Sequence, residues 1–104
     1  MSDYSLSGHV ALVTGSSKGL GASIVRNLAS AGASVAVNAF NNVDRAQKLA
    51  DDINSEGGKA IAVAADVTDA RQIAALVEEV TSRIGPIDIV VPNATDPQPH
   101  KPIE

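Results

Sequence analysis

Short apolar runs alternate along the chain with longer segments in which apolar residues recur every three or four positions. The first pattern is typical of strands buried on both faces, and the second is typical of amphipathic helices. Because the runs show little polar alternation, they favour parallel strands over hairpins. The pattern predicts four strands, at His9–Val13, Ser34–Val37, Ala60–Val63 and Ile87–Val91.

Three helices are predicted between these strands, and each ends where glycine follows: at Gly32, at Gly57 with Gly58, and at Gly85 before Pro86. Thr68 or Asp69 is the predicted N-cap of the third helix. The apolar faces of the three helices are, in chain order, Leu20, Ile24, Val25, Leu28 and Ala31; Ala46, Leu49, Ala50 and Ile53; and Ile73, Leu76, Val77, Val80 and Ile84.

Short strand-helix-strand connections of this kind cross over with a right hand. The predicted fold is therefore an α/β, Rossmann-like doubly wound parallel sheet, partial, with four strands in the order 3-2-1-4 and three helices. In that order the first two helices cover one face of the sheet, and the third only begins to cover the other. Residues 1–94 form this predicted half-domain, and residues 95–104, which include Pro97, Pro99 and Pro102, are predicted to be a proline-rich loop or irregular tail.

Composition and charge exclude several classes of protein. The 104 residues carry twelve acidic and eight basic side chains, a net charge of −4, and the charges are interspersed, so we expect no nucleic-acid partner. No apolar stretch approaches the roughly 18 residues of a membrane span, and the first residues do not resemble a signal peptide, so we expect no membrane partner and a cytoplasmic location. The absence of cysteine excludes disulfides and thiol catalysis, and no His, Asp or Glu cluster has the spacing of a metal site.

A glycine-rich segment directly follows the first predicted strand and opens the first predicted helix. Glycine lets the backbone approach a pyrophosphate without a Cβ in the way, and the positive end of the helix attracts the anion. The spacing Gly-x-x-x-Gly-x-Gly differs from the best-known dinucleotide fingerprint and lacks the Gly-Lys-Ser/Thr of a triphosphate-binding loop. A turn that only packs the helix on the strand is the alternative. We interpret the segment as a pyrophosphate-binding loop made of Gly15, Ser16, Ser17, Lys18, Gly19, Leu20 and Gly21.

Four features in this order resemble the N-terminal half of a classical short-chain dehydrogenase/reductase: Thr14 to Gly21, Asp66-Val67, Gly85 to Asp88 and Asn93-Ala94. The resemblance implies that the glycine loop wraps the pyrophosphate and the adenosine ribose of a nicotinamide cofactor. It also implies that Asp66 accepts a hydrogen bond from the adenine amino group, that Val67 offers its backbone, and that Asn93 and Ala94 lie along the cofactor. For Asp66 the alternative is a polar residue that ends a strand before a capped helix.

The chain departs from the family pattern at the end of the fourth predicted strand. The family's Asn-Asn-Ala-Gly is here Pro92-Asn93-Ala94-Thr95. Because Pro92 has no N–H group to donate, the strand is expected to end by Val91 or to bulge there.

The end of the second predicted strand indicates the choice of cofactor. An acid there would accept from the ribose hydroxyls of NAD and repel the 2′-phosphate of NADP. The position holds Ala39, with Asn38 before it and Phe40 after it, and Lys18 adds a positive charge on the same side. The sequence therefore favours NADP(H) over NAD(H), with Asn38, Ala39 and Phe40 among the cofactor contacts. A solvated loop lysine is the alternative for Lys18.

No catalytic residue is assigned within the chain. A reductase of the family uses a Tyr-x-x-x-Lys pair and a serine. Tyr4 is the only tyrosine, and Gly8 stands four residues after it. The resemblance puts the catalytic residues beyond Glu104.

The predicted function follows from the resemblance. The chain is expected to be the cofactor-binding half of an NADP(H)-dependent oxidoreductase that acts on a small carbonyl or alcohol. It looks most like the 3-oxoacyl-thioester reductases, and a homo-oligomer is expected. A non-catalytic NADP(H)-binding or regulatory module is the first alternative. An S-adenosylmethionine methyltransferase is the second, although Ala39 stands where such enzymes usually carry an acid.

Overall fold

Strands and helices alternate through residues 5–93, the part of the chain that the computed structural model describes. The strands form one sheet of order β3-β2-β1-β4, and every pair is parallel. The predicted fold class and strand order are therefore confirmed. The predictions for Ala94 and for residues 95–104 lie outside the described residues. The elements are β1 (Val10–Val13), α1 (Gly19–Ser30), β2 (Ser34–Ala39), α2 (Val43–Ser55), β3 (Lys59–Ala64), α3 (Ala70–Ile84) and β4 (Ile89–Val91).

The two faces of the sheet are covered unequally. Successive strand residues point to opposite faces, so Ala11 and Val13 of β1 join the core under α1 and α2, whereas Leu12 joins the smaller core under α3. Helix α3 contributes only Leu76 and Val80 as buried residues. The larger core therefore lies on the face of α1 and α2, as the strand order predicts.

The fourth strand is shorter than predicted, beginning at Ile89 rather than Ile87. The backbone N–H of Val10 donates to the carboxylate of Asp88 at 2.9 Å, so a side chain takes the place of the backbone carbonyl that would lengthen the ladder. The backbone N–H of Asp88 still donates to the carbonyl of Val10 at 3.0 Å, and the carboxylate lies 2.8 Å from Nδ1 of His9. The strand ends at Val91, directly before proline, as predicted.

The second strand is longer than predicted and ends at Ala39 rather than Val37. Pairing with β3 continues to the register of Ala39 with Ala64, and the backbone N–H of Ala65 donates to the carbonyl of Ala39 at 3.0 Å. Contact with a neighbouring strand, which a local pattern does not contain, extends the strand.

Two helix predictions had different outcomes. Asp69 is the N-cap of α3, and its side chain accepts from the backbone N–H of Arg71 at 2.9 Å. Leu20, predicted on the apolar face of α1, is 71% exposed. It lies in the first turn, beside the glycine loop, and the buried helix residues are Gly21 and Val25.

Candidate cofactor-binding site

The loops that follow the strands meet at one edge of the sheet. They are residues 14–18 after β1, 40–42 after β2, 65–69 after β3, and 92–93 after β4. Because all four strands are parallel, their carboxyl ends share this edge, which is where open α/β sheets bind ligands. The structure therefore brings the predicted site residues between Gly15 and Asn93 to a common place.

The glycine loop leaves the beginning of α1 open to an anion. Lys18 occupies the N-cap position with its side chain exposed, and among the described residues no side-chain hydrogen bond caps the helix. Gly19 has a φ of 62°, which glycine adopts readily, and a Cβ added there would meet no protein atom within 4 Å. Uncapped N–H groups, open space at Gly19 and a nearby ammonium group fit a phosphate. We conclude that this loop can hold the pyrophosphate of a dinucleotide.

Gly21 lets the first turn of α1 lie directly against the loop. A Cβ on Gly21 would stand 2.5 Å from Nδ2 of Asn93, 2.7 Å from the carbonyl oxygen of Gly15 and 2.8 Å from Cα of Ser16. Asn93 fastens the end of β4 to the same loop, since its backbone N–H donates to Oγ1 of Thr14 at 2.9 Å and its Nδ2 donates to the carbonyl of Gly15 at 3.2 Å.

Ser16 is fully buried, and its hydroxyl forms hydrogen bonds with both β1 and β2. Its hydroxyl donates to the carbonyl of Val13 at 2.6 Å and accepts from the backbone N–H of Asn38 at 3.0 Å. Its own backbone N–H donates to the carbonyl of Asn38 at 2.9 Å. The hydroxyl is therefore used within the protein, and the predicted contact of Ser16 with a cofactor stays a prediction.

Asn38, at the end of β2, is 2% exposed and also uses its side chain within the protein. Its Oδ1 accepts from the backbone N–H of Gly15 at 3.0 Å, and its Nδ2 donates to the carbonyls of Val63 and Ala65, each at 3.3 Å. Its predicted contact with a cofactor likewise stays a prediction. Sequence reasoning placed Asn38 at the correct strand end but did not find these partners.

The end of β2 carries no acid. The side chain of Ala39 is buried at 3% exposure, and Phe40, the next residue, is 63% exposed. The first acid after the strand is Asp44, in the first turn of α2. Lys18 therefore lies at the edge of the sheet where β2 ends without a carboxylate.

Asp66 forms the turn after β3. Its Oδ1 accepts from the hydroxyl of Thr68 at 2.6 Å and from the backbone N–H of Thr68 at 2.9 Å. Both hydrogen bonds lower the pKa of the Asp66 carboxyl from its ordinary value, and the bond from the Thr68 hydroxyl contributes more than the bond from the backbone N–H. The carboxyl is therefore an anionic acceptor at neutral pH. The backbone N–H of Asp66 donates to Oε1 of Gln72 at 2.8 Å. Sequence reasoning missed Gln72, because only the folded turn brings it back to Asp66.

The sequence and the fold are matched by known proteins. A family model for short chain dehydrogenase matches residues 9–104. The chain belongs to the short-chain dehydrogenase family. Elsinochrome reductase 1 of Elsinoe fawcettii is 47% identical over 94 residues, which are 90% of this chain and 35% of that protein. A probable tetrahydroxynaphthalene reductase of Zymoseptoria tritici is 46% identical over 89 residues, covering 86% of this chain and 33% of the relative.

Solved structures agree with the family assignment. A dehydrogenase/reductase from Sinorhizobium meliloti 1021 matches with a TM-score of 0.84 and 42% identity, over 88% of this chain and 36% of that one. The chain thus spans about a third of the length of the relatives it matches. Short-chain dehydrogenases bind nicotinamide cofactors, so the family assignment argues against the methyltransferase alternative. The likeness to 3-oxoacyl-thioester reductases stays a prediction.

Within residues 5–93, part of the sheet is left uncovered on the side of α3. An open groove of about 580 Å³ runs between α3 and β4. Val90 is 59% exposed there, and Ile73 and Val77 of α3 are 40% and 41% exposed. The rest of the lining is Leu12, Thr14, Val67, Leu76, Ile87 and Pro92.

Every helix within residues 5–93 is too short or too polar to span a membrane. Nor does this part of the chain bring together three or more His, Cys, Asp or Glu side chains that could share a metal ion.

Proposed function

We propose that the chain is the cofactor-binding half of an NADP(H)-dependent short-chain oxidoreductase. The protein's reaction is hydride transfer between the nicotinamide and the carbonyl or alcohol carbon of a small molecule, and it works as a homo-oligomer. The observation that carries the proposal is the uncapped N-terminus of α1, which opens beside Lys18 at the sheet edge where β2 ends without an acid. Relatives named as reductases support the reaction type.

Different residues at this edge bind different parts of the cofactor. The first backbone N–H groups of α1 bind the pyrophosphate, and the open space at Gly19 admits it. Oδ2 of Asp66, the oxygen that Thr68 does not use, accepts from the adenine amino group, and Val67 offers its backbone beside it. Asn93 lies along the cofactor and holds the loop through Gly15. When bound, NADPH would supply a hydride to a carbonyl carbon, and NADP⁺ would accept one from an alcohol carbon.

The preference for NADP(H) rests on charge. The methyl group of Ala39 cannot repel a 2′-phosphate, whereas an aspartate at that position would both repel it and accept from a 2′-hydroxyl. Lys18 adds a charge-assisted hydrogen bond to the phosphate. In a partly wet site such a bond contributes about 1–2 kcal/mol, so we expect a clear preference in affinity rather than exclusive binding.

Calorimetric titration with NADPH and NADH tests this function. We expect tighter binding of NADPH, a smaller preference in Lys18→Ala, and a loss of NADPH affinity in Ala39→Asp. Lys59→Ala, which removes a charge where β3 begins at the opposite end of the sheet, controls for net charge. Ala39→Asn controls for a larger side chain at a buried position.

Each variant tests a separate part of the proposal. An unchanged preference in Lys18→Ala would remove the role of that lysine, and equal loss in Ala39→Asp and Ala39→Asn would remove the charge argument. If the unaltered chain binds neither nucleotide, the proposed function is wrong.

A non-catalytic NADP(H)-binding module is the second candidate. The open beginning of α1 and the space at Gly19 would serve such a module equally well. Binding of NADPH without turnover by the natural protein would identify it, and turnover would exclude it.

A further inference from the structure

We propose that Asn38 is a positioning residue, which holds the glycine loop and the turn after β3 in one arrangement before any nucleotide binds. The choice of nucleotide as ligand rests on the proposed function, whereas the arrangement itself does not. Asn38 stands in β2, the strand that lies between β1 and β3 in the sheet. It is therefore placed to join the loops that follow both neighbours.

The amide group of Asn38 points its two polar atoms at different loops. Oδ1 accepts from the N–H of Gly15, where the glycine loop begins, at 3.0 Å. Nδ2 donates to the carbonyl of Ala65, the residue before Asp66, and to the carbonyl of Val63. Because an N–H must meet an acceptor and a carbonyl must meet a donor, these partners allow only one orientation of the amide. One side chain thus links the loop for the pyrophosphate to the turn for the adenine.

Few other side chains can replace this one. The position needs one acceptor and two donor hydrogens at the distance of an asparagine amide. Ionised aspartate has no donor, alanine and serine are too short, and leucine has no polar atom. With 2% exposure, the N–H and the two carbonyls would have little access to water if the amide were lost. Unpaired buried polar groups are costly, so we expect the two loops to separate rather than to remain in place.

Asn54 provides a matched control at the other end of the sheet. Its Nδ2 donates to the carbonyl of Ala60 at 3.0 Å, and its Oδ1 accepts from the backbone N–H of Ala60 at 2.8 Å. It is the same residue type, bonded to the backbone of the same strand β3, but near the start of that strand, whereas the site lies at its end. Asn54 itself is exposed, so Asn54→Ala removes two hydrogen bonds at a less buried place and is expected to lower stability by less than Asn38→Ala, without touching the site.

The experiment combines amide hydrogen exchange of the ligand-free chain, followed by NMR, with NADPH titration. In the unaltered chain we expect the Gly15 amide to exchange as slowly as the amides of β1. In Asn38→Ala we expect faster exchange at Gly15 and at residues 65–68, and NADPH affinity about tenfold weaker. Asn54→Ala is expected to lower the melting temperature while leaving Gly15 exchange and NADPH affinity within about twofold of the unaltered chain.

Different results would overturn the two proposals. Fast exchange at Gly15 in the unaltered chain overturns the role of Asn38, even if Asn38→Ala does not fold. Equal effects of Asn38→Ala and Asn54→Ala on Gly15 exchange and NADPH affinity also overturn it, because Asn38 would then act only through stability. If the unaltered chain does not bind NADPH, the proposed function fails, and Gly15 exchange in the two variants still decides the positioning role.

Discussion

Replacing Gly21 by alanine tests the close contact between α1 and the glycine loop. The added Cβ would stand 2.7 Å from the carbonyl oxygen of Gly15 and 2.8 Å from Cα of Ser16. These are backbone atoms, which cannot turn away as a side chain can. The third contact, at 2.5 Å, is with Nδ2 of Asn93, which holds the loop by its bond to Gly15. We expect Gly21→Ala to destabilise the fold and to weaken nucleotide binding.

The size of the effect can be worked out from opposing contributions. Alanine in place of glycine within a helix stabilises by about 1 kcal/mol. Forcing a methyl group into a filled space costs about 1–3 kcal/mol. Displacing the amide of Asn93 from Gly15 costs about 1 kcal/mol more. The net expectation is a loss of about 1–3 kcal/mol, which lowers the melting temperature of a domain of this size by about 4–24 °C.

Thermal unfolding followed by circular dichroism measures this loss, and a double-mutant cycle with Asn93→Ala divides it. Asn93→Ala removes the contact with the side chain but leaves both backbone contacts at Gly21. We therefore expect Gly21→Ala to remain destabilising in the Asn93→Ala background, with a smaller loss than in the unaltered chain.

Two results would refute this reasoning. A Gly21→Ala variant as stable as the unaltered chain would show that helix propensity outweighs the contact. A cost that disappears completely with Asn93→Ala would show that the backbone contacts do not limit the space.

Three further predictions concern other parts of the chain. We expect the 104-residue chain to self-associate through the apolar groove beside β4, and we expect Val90→Lys to reduce the association. A monomer of 10.6 kDa in sedimentation at micromolar concentration would contradict this prediction. Hydrogen bonds from the backbone N–H of Val10, and to a smaller extent from the side chain of His9, lower the pKa of Asp88 in the folded chain. The stabilising effect of Asp88 is therefore complete above the ordinary pKa of about 3.9, and it is lost as the pH falls through the lowered pKa of the folded chain. Urea unfolding from pH 2 to 7 should show that the unaltered chain and Asp88→Ala differ in free energy of unfolding by a constant amount above about pH 4 and by less below it. A difference that stays constant over the whole range would refute this role of Asp88. Residues 1–104 should not reduce carbonyls with NADPH, since their sequence contains no Tyr-x-x-x-Lys pair, and turnover that Gly19→Val abolishes would be the contrary result.

The site could be predicted from sequence where a local pattern is sufficient. The glycine loop was placed between β1 and α1 because its neighbours on both sides show clear strand and helix periodicity. Asp69 was one of two predicted caps, since a cap depends on the few residues that follow it. The position of Ala39 at the end of β2 could be counted from the preceding glycine. The loop and the cap depend on contacts within a few residues along the chain, whereas β2 extends to Ala39 through its pairing with β3.

The amino-acid sequence by itself thus determined the alternation of elements, the parallel sheet and the edge at which the loops meet. Only the tertiary structure decided what the polar side chains at that edge do. Asn38 meets Gly15 and Ala65, which are 23 and 27 residues away, and Asp88 meets Val10 across 78 residues. Periodicity reports which face of an element is apolar, but it carries no information on partners so distant in the chain. Those hydrogen bonds exist only because four parallel strands bring their ends together.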